Sequence, residues 1–175
     1  MIVVKQSQEE KEEVCQAVVR FNPTLEKLKS ELDEVKSNKL NHATRVQYLS
    51  GNTAFIIFLF ENYPEVLIPH FLESYKSVKE VDEKKLFVKF VKESLEMSRV
   101  CPIDIKAFKV EVFMTYLLSL KRSDGIFFSY SCYDGKRSAL VHLFSESGIV
   151  FDMKSKIELS DMMVGFKKSI AKENS

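Results

Sequence analysis

The segment TAFIIFLFENY, residues 53–63, is the most apolar part of the chain and decides what the fold is built around. Its β-branched and aromatic side chains have strand propensity. Apolar side chains nevertheless cover every face of the segment, and it ends in the polar residues Glu61 and Asn62. We therefore predict a buried helix. Its longest apolar run, residues 54–60, is far shorter than the ~20 residues of a membrane span.

The chain before this segment predicts three helices. Ser7 and Glu10 form a capping-box pattern that opens a helix over about 7–20. The next helix, about 24–38, has the clearest amphipathic pattern in the chain. Its apolar residues recur at three- and four-residue spacing: Leu25, Leu28, Leu32 and Val35. A third helix, about 41–50, is expected to end at Gly51, because glycine often terminates helices.

The chain after this segment predicts further helices. Pro64 suits the first turn of a helix, and Pro69 should kink or restart that helix. Helices over about 82–98 and 102–120 follow, each with an apolar stripe. Residues 1–121 are therefore predicted to form a bundle of about six to seven helices.

The pattern changes after Asp124 and Gly125, where β-rich runs replace helical spacing. Three such runs follow: 126–133, 136–144 and 149–153. The dipeptide Asp134-Gly135 between the first two is a strong hairpin signal. We predict a three-stranded antiparallel β-meander and then a helix over about 159–171. The predicted fold class is α+β, with a helical region at 1–121 and a small sheet plus terminal helix at 122–175 that share one core.

Composition excludes several classes of protein. The 175 residues carry 26 basic and 25 acidic side chains, a formal net charge of +1, and 45% of them are apolar. These values exclude a disordered polyelectrolyte and a strongly basic nucleic-acid-binding arm. The three cysteines are far apart and form no CxxC pair, which favours a reducing compartment. No signal-peptide pattern is seen, so we predict a cytoplasmic protein that does not bind membranes.

No motif for catalysis or metal binding stands out. His42, His70 and His142 have no His or Cys partner at i+3 or i+4, so no local metal site is indicated. The five glycines lie too far apart for a phosphate-binding loop. On the predicted hairpin Cys132 lies opposite Arg137, which argues against a Cys132–His142 pair. We predict no catalytic residue, no metal, no cofactor and no enzyme activity of its own.

The predicted meander offers a binding site for a peptide. A three-stranded sheet has two edges with unpaired backbone groups. An exposed edge can accept a peptide as an added strand. We place this site on the short third strand: Ile149, Val150, Phe151, Asp152 and Met153.

Two other functions remain open at this point. A helix at 102–120 followed by a hairpin with a basic tip is typical of a winged-helix DNA-binding regulator. Against this, the helix is apolar on most faces, whereas a recognition helix exposes polar residues that read bases. An immunity or inhibitor protein that acts by surface occlusion needs no motif.

Residues 45–75, RVQYLSGNTAFIIFLFENYPEVLIPHFLESY, carry a family resemblance. The matching positions are Tyr48, Asn52, Tyr63, Pro64, Val66, Leu67 and Phe71. In these positions the chain resembles the accessory partner proteins of multinuclear iron oxidative enzymes in peptide natural-product biosynthesis, a group that includes the methanobactin partner protein. The resemblance implies a non-catalytic subunit that binds an iron-dependent oxidative enzyme and a short Cys-containing precursor peptide. The sheet edge would hold the leader of that peptide.

Overall fold

The computed structural model describes residues 24–38, 40–81, 84–98 and 100–175, and over these ranges the chain is helical. The chain divides into two compact units, residues 1–41 and residues 42–175. Helix α1 (Leu25–Ser37) belongs to the first unit. The described part of the second unit holds six helices: α2 (His42–Asn62), α3 (Pro69–Val81), α4 (Lys84–Met97), α5 (Val110–Ser119), α6 (Tyr130–Glu146) and α7 (Met153–Glu173). A 3₁₀ turn, Pro64–Val66, follows α2.

Helix α2 lies at the centre of the second unit. Other helices pack on several of its sides, which is why its apolar run covers more than one face. The ring of Phe55 meets that of Phe113 on α5, with centroids 5.2 Å apart. The ring of Phe60 meets that of Phe87 on α4, with centroids 5.1 Å apart. A further side of α2 packs on α6. The predicted buried helix is confirmed, and its core side chains are almost fully buried: Phe55, Ile56 and Leu59.

Two predicted helix boundaries have different outcomes. Helix α2 runs through Gly51 without a break, so the predicted end at that residue is wrong. A Cβ atom added at Gly51 would lie 3.8 Å from the Cβ atom of Ala139 on α6. Gly51 therefore lies where two helices meet rather than at the end of one. Pro69, by contrast, begins α3, so the predicted restart at this proline is confirmed.

The predicted hairpin is wrong, because residues 130–146 form helix α6 and Asp134-Gly135 lies inside it. The buried positions have helical spacing: Tyr133, Leu140 and Phe144 are at most 1% exposed. The Asp134 carboxylate forms an ion pair with the Arg137 guanidinium, three residues later on the same helix, at 2.6 Å. Packing of one helix face against the core thus overrides the local turn preference of Asp-Gly.

The first predicted strand is replaced by an extended connection and the start of α6. Residues 126–129 lie outside any helix. The buried Tyr133 hydroxyl holds this connection, because it donates to the Leu120 carbonyl at 2.6 Å and accepts from the Phe128 amide at 3.0 Å. The loop between α5 and α6 is therefore fixed by a side chain of α6 rather than by strand pairing.

The predicted sheet is absent from the described residues, which corrects the fold class from α+β to all-α. The one β pairing in these ranges is an isolated antiparallel bridge between Leu67 and Ile103. The predicted terminal helix at 159–171 lies within α7 and is confirmed. The predicted helix at 7–20 lies outside the described residues. None of the described helices is long and apolar enough to cross a bilayer.

Replacing Gly135 with alanine distinguishes helix α6 from a hairpin. A Cβ atom at Gly135 would meet no atom within 4 Å, and no positive φ angle is present there. Because glycine inside a helix costs about 0.5–1 kcal/mol relative to alanine, we expect Gly135→Ala to raise the free energy of unfolding by this amount. The measurement is urea denaturation followed by circular dichroism.

Gly165→Ala is the matched control, since Gly165 lies inside α7 and its added Cβ atom also meets open space. Both substitutions should stabilise the protein to a similar extent. A type I′ hairpin turn requires a positive φ at Gly135. Destabilisation by Gly135→Ala together with stabilisation by Gly165→Ala would therefore contradict the helical assignment.

Candidate functional site

Helices α2 and α6 pack antiparallel along one seam. The Tyr48 and His142 rings are 5.4 Å apart by centroid. Farther along α2, the side-chain amide of Asn52 donates to the Ala139 carbonyl at 3.0 Å. Residue numbers rise along α2 as they fall along α6, so the two helices run in opposite directions.

A buried hydrogen bond holds the seam together. Asn52 is 6% exposed, and its amide reaches a backbone carbonyl 87 residues away in sequence. A buried amide is costly unless it is paired, so this bond also specifies how α2 and α6 align. Gly51 and Ala139 lie beside it, and a Cβ atom at Gly51 would be 3.8 Å from that of Ala139.

One cleft opens where the seam is lined by small residues. It has a volume of about 490 Å³, and its lining includes Ser50, Gly51, Ala54, Ser131 and Gly135. Cys132 and Lys136 also line it, four residues apart and hence on one face of α6. The exposed Cys132 thiol lies 3.4 Å from the Ser129 hydroxyl at the start of α6.

A second cleft lies at the other end of the seam, between α2, α4 and α6. It has a volume of about 660 Å³. Its ionisable lining comes from all three helices: His42, Arg45, Glu96, His142 and Glu146. Tyr48 lines both clefts, so we name the two together the α2–α6 groove.

The groove presents the chemistry of a binding surface. The Tyr48 ring lies between one cleft lined by hydroxyl groups and a single lysine and another cleft lined by charges of both signs. Such mixed linings orient a ligand through a few polar contacts. Among the described residues no group of three or more His, Cys, Asp or Glu side chains is placed to hold a metal ion.

Two further ionisable groups lie in the core rather than in the groove lining. Burial raises the pKa of the Cys101 thiol to about 11 and that of the Tyr116 hydroxyl to about 12. Both groups are therefore protonated at neutral pH. The Tyr116 hydroxyl is buried and makes no hydrogen bond to the described residues. Cys101 behaves as a small apolar core residue.

The predicted third strand at 149–153 is wrong, since residues 149–152 connect α6 to α7. Phe151 is 7% exposed and packs on Phe144, with ring centroids 5.5 Å apart. Asp152 caps α7, and Met153 is the first residue of that helix. Ile149 packs against the core, whereas Val150 is 86% exposed. No strand is present here for a peptide to extend.

The positions that carry the family resemblance fall in three places. Tyr48 and Asn52 lie on the seam. Tyr63 and Pro64 begin the 3₁₀ turn after α2. The remaining positions pack in the core or against it: Val66, Leu67 and Phe71.

The sequence interpretation missed the groove because it placed α6 in a hairpin. On a helix, Cys132 and Lys136 share a face, and so do His142 and Glu146. Cys132 and His142 line different clefts. The one usable signal was the helical spacing of Tyr133, Leu140 and Phe144.

Comparisons with known proteins do not assign this site. No protein-family model matches the chain, and neither a curated protein nor a solved structure shows significant similarity to it.

Asn52→Ala tests the bond that holds the seam. It removes the buried hydrogen bond to Ala139 and leaves a small void, so we expect a loss of about 1–2 kcal/mol in the free energy of unfolding. Asn62→Ala is the control, because the Asn62 amide donates to the Phe58 carbonyl at 3.0 Å in an exposed position. Equal losses for both variants in urea denaturation would contradict the role assigned to Asn52.

Asp152→Ala tests the cap of α7 through its pH dependence. Hydrogen bonds from the Ser155 hydroxyl and amide, at 2.7 and 2.9 Å, lower the pKa of the Asp152 carboxyl below its ordinary value of 3.8. The charged form therefore stabilises the fold above pH 3.8, and this stabilisation is lost as the pH falls through the lowered pKa. Thermal unfolding should show a lower midpoint for Asp152→Ala at neutral pH.

The difference in midpoint between Asp152→Ala and the unchanged protein should shrink once the pH falls below the folded pKa. Asp161→Ala, at an exposed position inside α7, is the control for losing one acidic charge from the same helix. A constant difference for Asp152→Ala across the pH range would show that the carboxylate does not act as the cap.

Proposed function

We propose that the protein is a non-catalytic accessory protein that binds a short peptide segment of a partner in the α2–α6 groove. The observation that carries the proposal is that two open clefts share Tyr48 along one helix–helix seam. A segment lying along the seam would contact both clefts at once. In one cleft it would meet hydroxyl groups and Lys136, and in the other cleft it would meet Arg45, Glu96 and Glu146.

Charge gives the groove a direction. Lys136 is the basic residue lining the small-residue cleft, whereas Glu96 and Glu146 line the other cleft together with Arg45. A segment with an acidic side chain at one end and a basic side chain at the other would complement this arrangement. Electrostatic complementarity of this kind contributes to specificity more than to affinity.

The mode of binding differs from the strand addition expected from sequence, because the described residues form no sheet. A groove between helices instead accepts side chains of a helical or extended segment. The family resemblance implies a Cys-containing precursor peptide as ligand and an iron-dependent oxidative enzyme as partner. We keep both as the proposed partners, with the groove replacing the sheet edge.

The two alternative functions fare differently. A winged helix requires a hairpin after its recognition helix, and the corresponding residues form α6. We therefore do not propose DNA binding. An inhibitor that occludes its partner would make the same kind of contact as an accessory protein. An assay of the partner's activity distinguishes these two functions, because only an inhibitor would abolish that activity on binding.

A display library of twelve-residue peptides tests the groove directly. Peptides selected on the immobilised protein are labelled, and their affinity is measured by fluorescence anisotropy. We expect Lys136→Glu and Tyr48→Ala each to weaken binding about tenfold, which corresponds to one lost charged or aromatic contact of about 1.4 kcal/mol.

Lys154→Glu is the matched control, because Lys154 is an exposed residue on α7 and its reversal changes net charge equally. Circular dichroism confirms that each variant is folded. Selected peptides that bind all four proteins equally would contradict the groove as the binding site. Failure to select any peptide would contradict the proposed function.

A further inference from the structure

Helix α1 exposes a continuous apolar stripe. The four side chains that form it, which we name the α1 stripe, are 67%, 42%, 51% and 67% exposed: Leu25, Leu28, Leu32 and Val35. Their spacing of three, four and three residues is that of the a and d positions of a coiled coil. Leu25 and Leu32 occupy a positions, and Leu28 and Val35 occupy d positions.

The α1 stripe needs a partner. A thirteen-residue helix is marginal in water by itself, because nucleation is costly and few hydrogen bonds follow. Covering the four large apolar side chains on one face of such a helix with a second apolar surface lowers the free energy. Regular a and d spacing identifies that surface as another helix.

The charges beside the stripe identify which helix fits and in which direction. Lys29 and Lys36 occupy e positions, and Glu31 occupies a g position. In a parallel pair each g residue faces the e residue five positions later on the other helix. Glu31 of one copy then faces Lys36 of the other, twice by symmetry.

An antiparallel pair of the same helices would be unfavourable. There e positions face e positions and g positions face g positions, so lysine meets lysine and Glu31 meets Glu31 or an uncharged residue. The existing contact of Lys36, with Asp33 at 4.0 Å on its own helix, is between exposed side chains. Contacts of this kind are worth little and are readily exchanged.

We propose that α1 packs in parallel on α1 of a second copy of this chain, through the α1 stripe and two Glu31–Lys36 pairs. The proposal is independent of the α2–α6 groove. Because only two heptads take part, the association is weak and depends on protein concentration.

Sedimentation equilibrium of the full chain tests the proposal. We expect the average mass to rise with concentration above that of one chain, and Leu28→Asp to return it to one chain. Ser30→Asp is the matched control, since it adds the same charge at an exposed position outside the stripe. Glu31→Lys and Lys36→Glu should each weaken association about three- to tenfold. The double variant Glu31→Lys/Lys36→Glu should restore it.

Cross-linking tests the direction. In a background with Cys15, Cys101 and Cys132 replaced, Val35→Cys should form an intermolecular disulfide on mild oxidation, because a parallel pair places the two copies of this d position opposite each other. An antiparallel pair would place Val35 opposite Leu25 and separate the two copies of residue 35 by about 15 Å along the helix.

Three results would overturn the proposal. The first is a mass of one chain at every concentration, which would indicate that the α1 stripe is covered by the same chain or by a different partner. The second is association that Leu28→Asp does not reduce. The third is failure of Glu31→Lys/Lys36→Glu to restore the association that each single reversal weakens. This result remains decisive even if Leu28→Asp lowers the helix content, because it does not depend on that variant.

Discussion

The packing of α2 is the constraint on which the second unit depends. This helix places large apolar side chains toward α4 and α5, and Tyr48, Gly51 and Asn52 toward α6. Burying the large apolar side chains requires neighbouring helices on more than one side of α2. Full burial of each such side chain stabilises the fold by roughly 1.5–3 kcal/mol. The Asn52–Ala139 hydrogen bond then fixes how α6 aligns with α2. The groove follows from this alignment, because Gly51, Ala54 and Gly135 leave space that larger side chains would fill.

Much of the helical architecture could be predicted from periodicity. The amphipathic pattern of α1, the apolar run of α2, the restart at Pro69 and the helix within α7 all match the structure. The prediction from sequence is wrong at α6, because Asp134-Gly135 is a strong local turn signal. Its helix is selected by contacts with α2 and α7, such as the Tyr133 ring 4.8 Å from that of Phe166. Such contacts join residues that are distant in sequence, so local propensity predicts them poorly.

The candidate site was unpredictable for the same reason. The groove exists only if α6 is a helix, because strands would turn Cys132 and Lys136 to other neighbours. The predicted edge strand at 149–153 shows the converse error: Phe151 is apolar because it anchors a loop on Phe144, not because it belongs to a sheet. The apolar stripe of α1, by contrast, was readable in the sequence, and the structure adds that it is exposed. One chain thus carries a groove between helices and a separate helix face, two surfaces suited to different partners.

The central claim is that residues 130–146 form a helix packed antiparallel on α2. A nuclear Overhauser spectrum of the isotopically labelled protein tests it most directly. Antiparallel packing predicts a cross-peak between the Gly51 α-protons and the Ala139 methyl group, because a Cβ atom at Gly51 would lie 3.8 Å from that methyl carbon. Cross-strand α-proton contacts between Cys132 and Arg137, with no peak between Gly51 and Ala139, would contradict it.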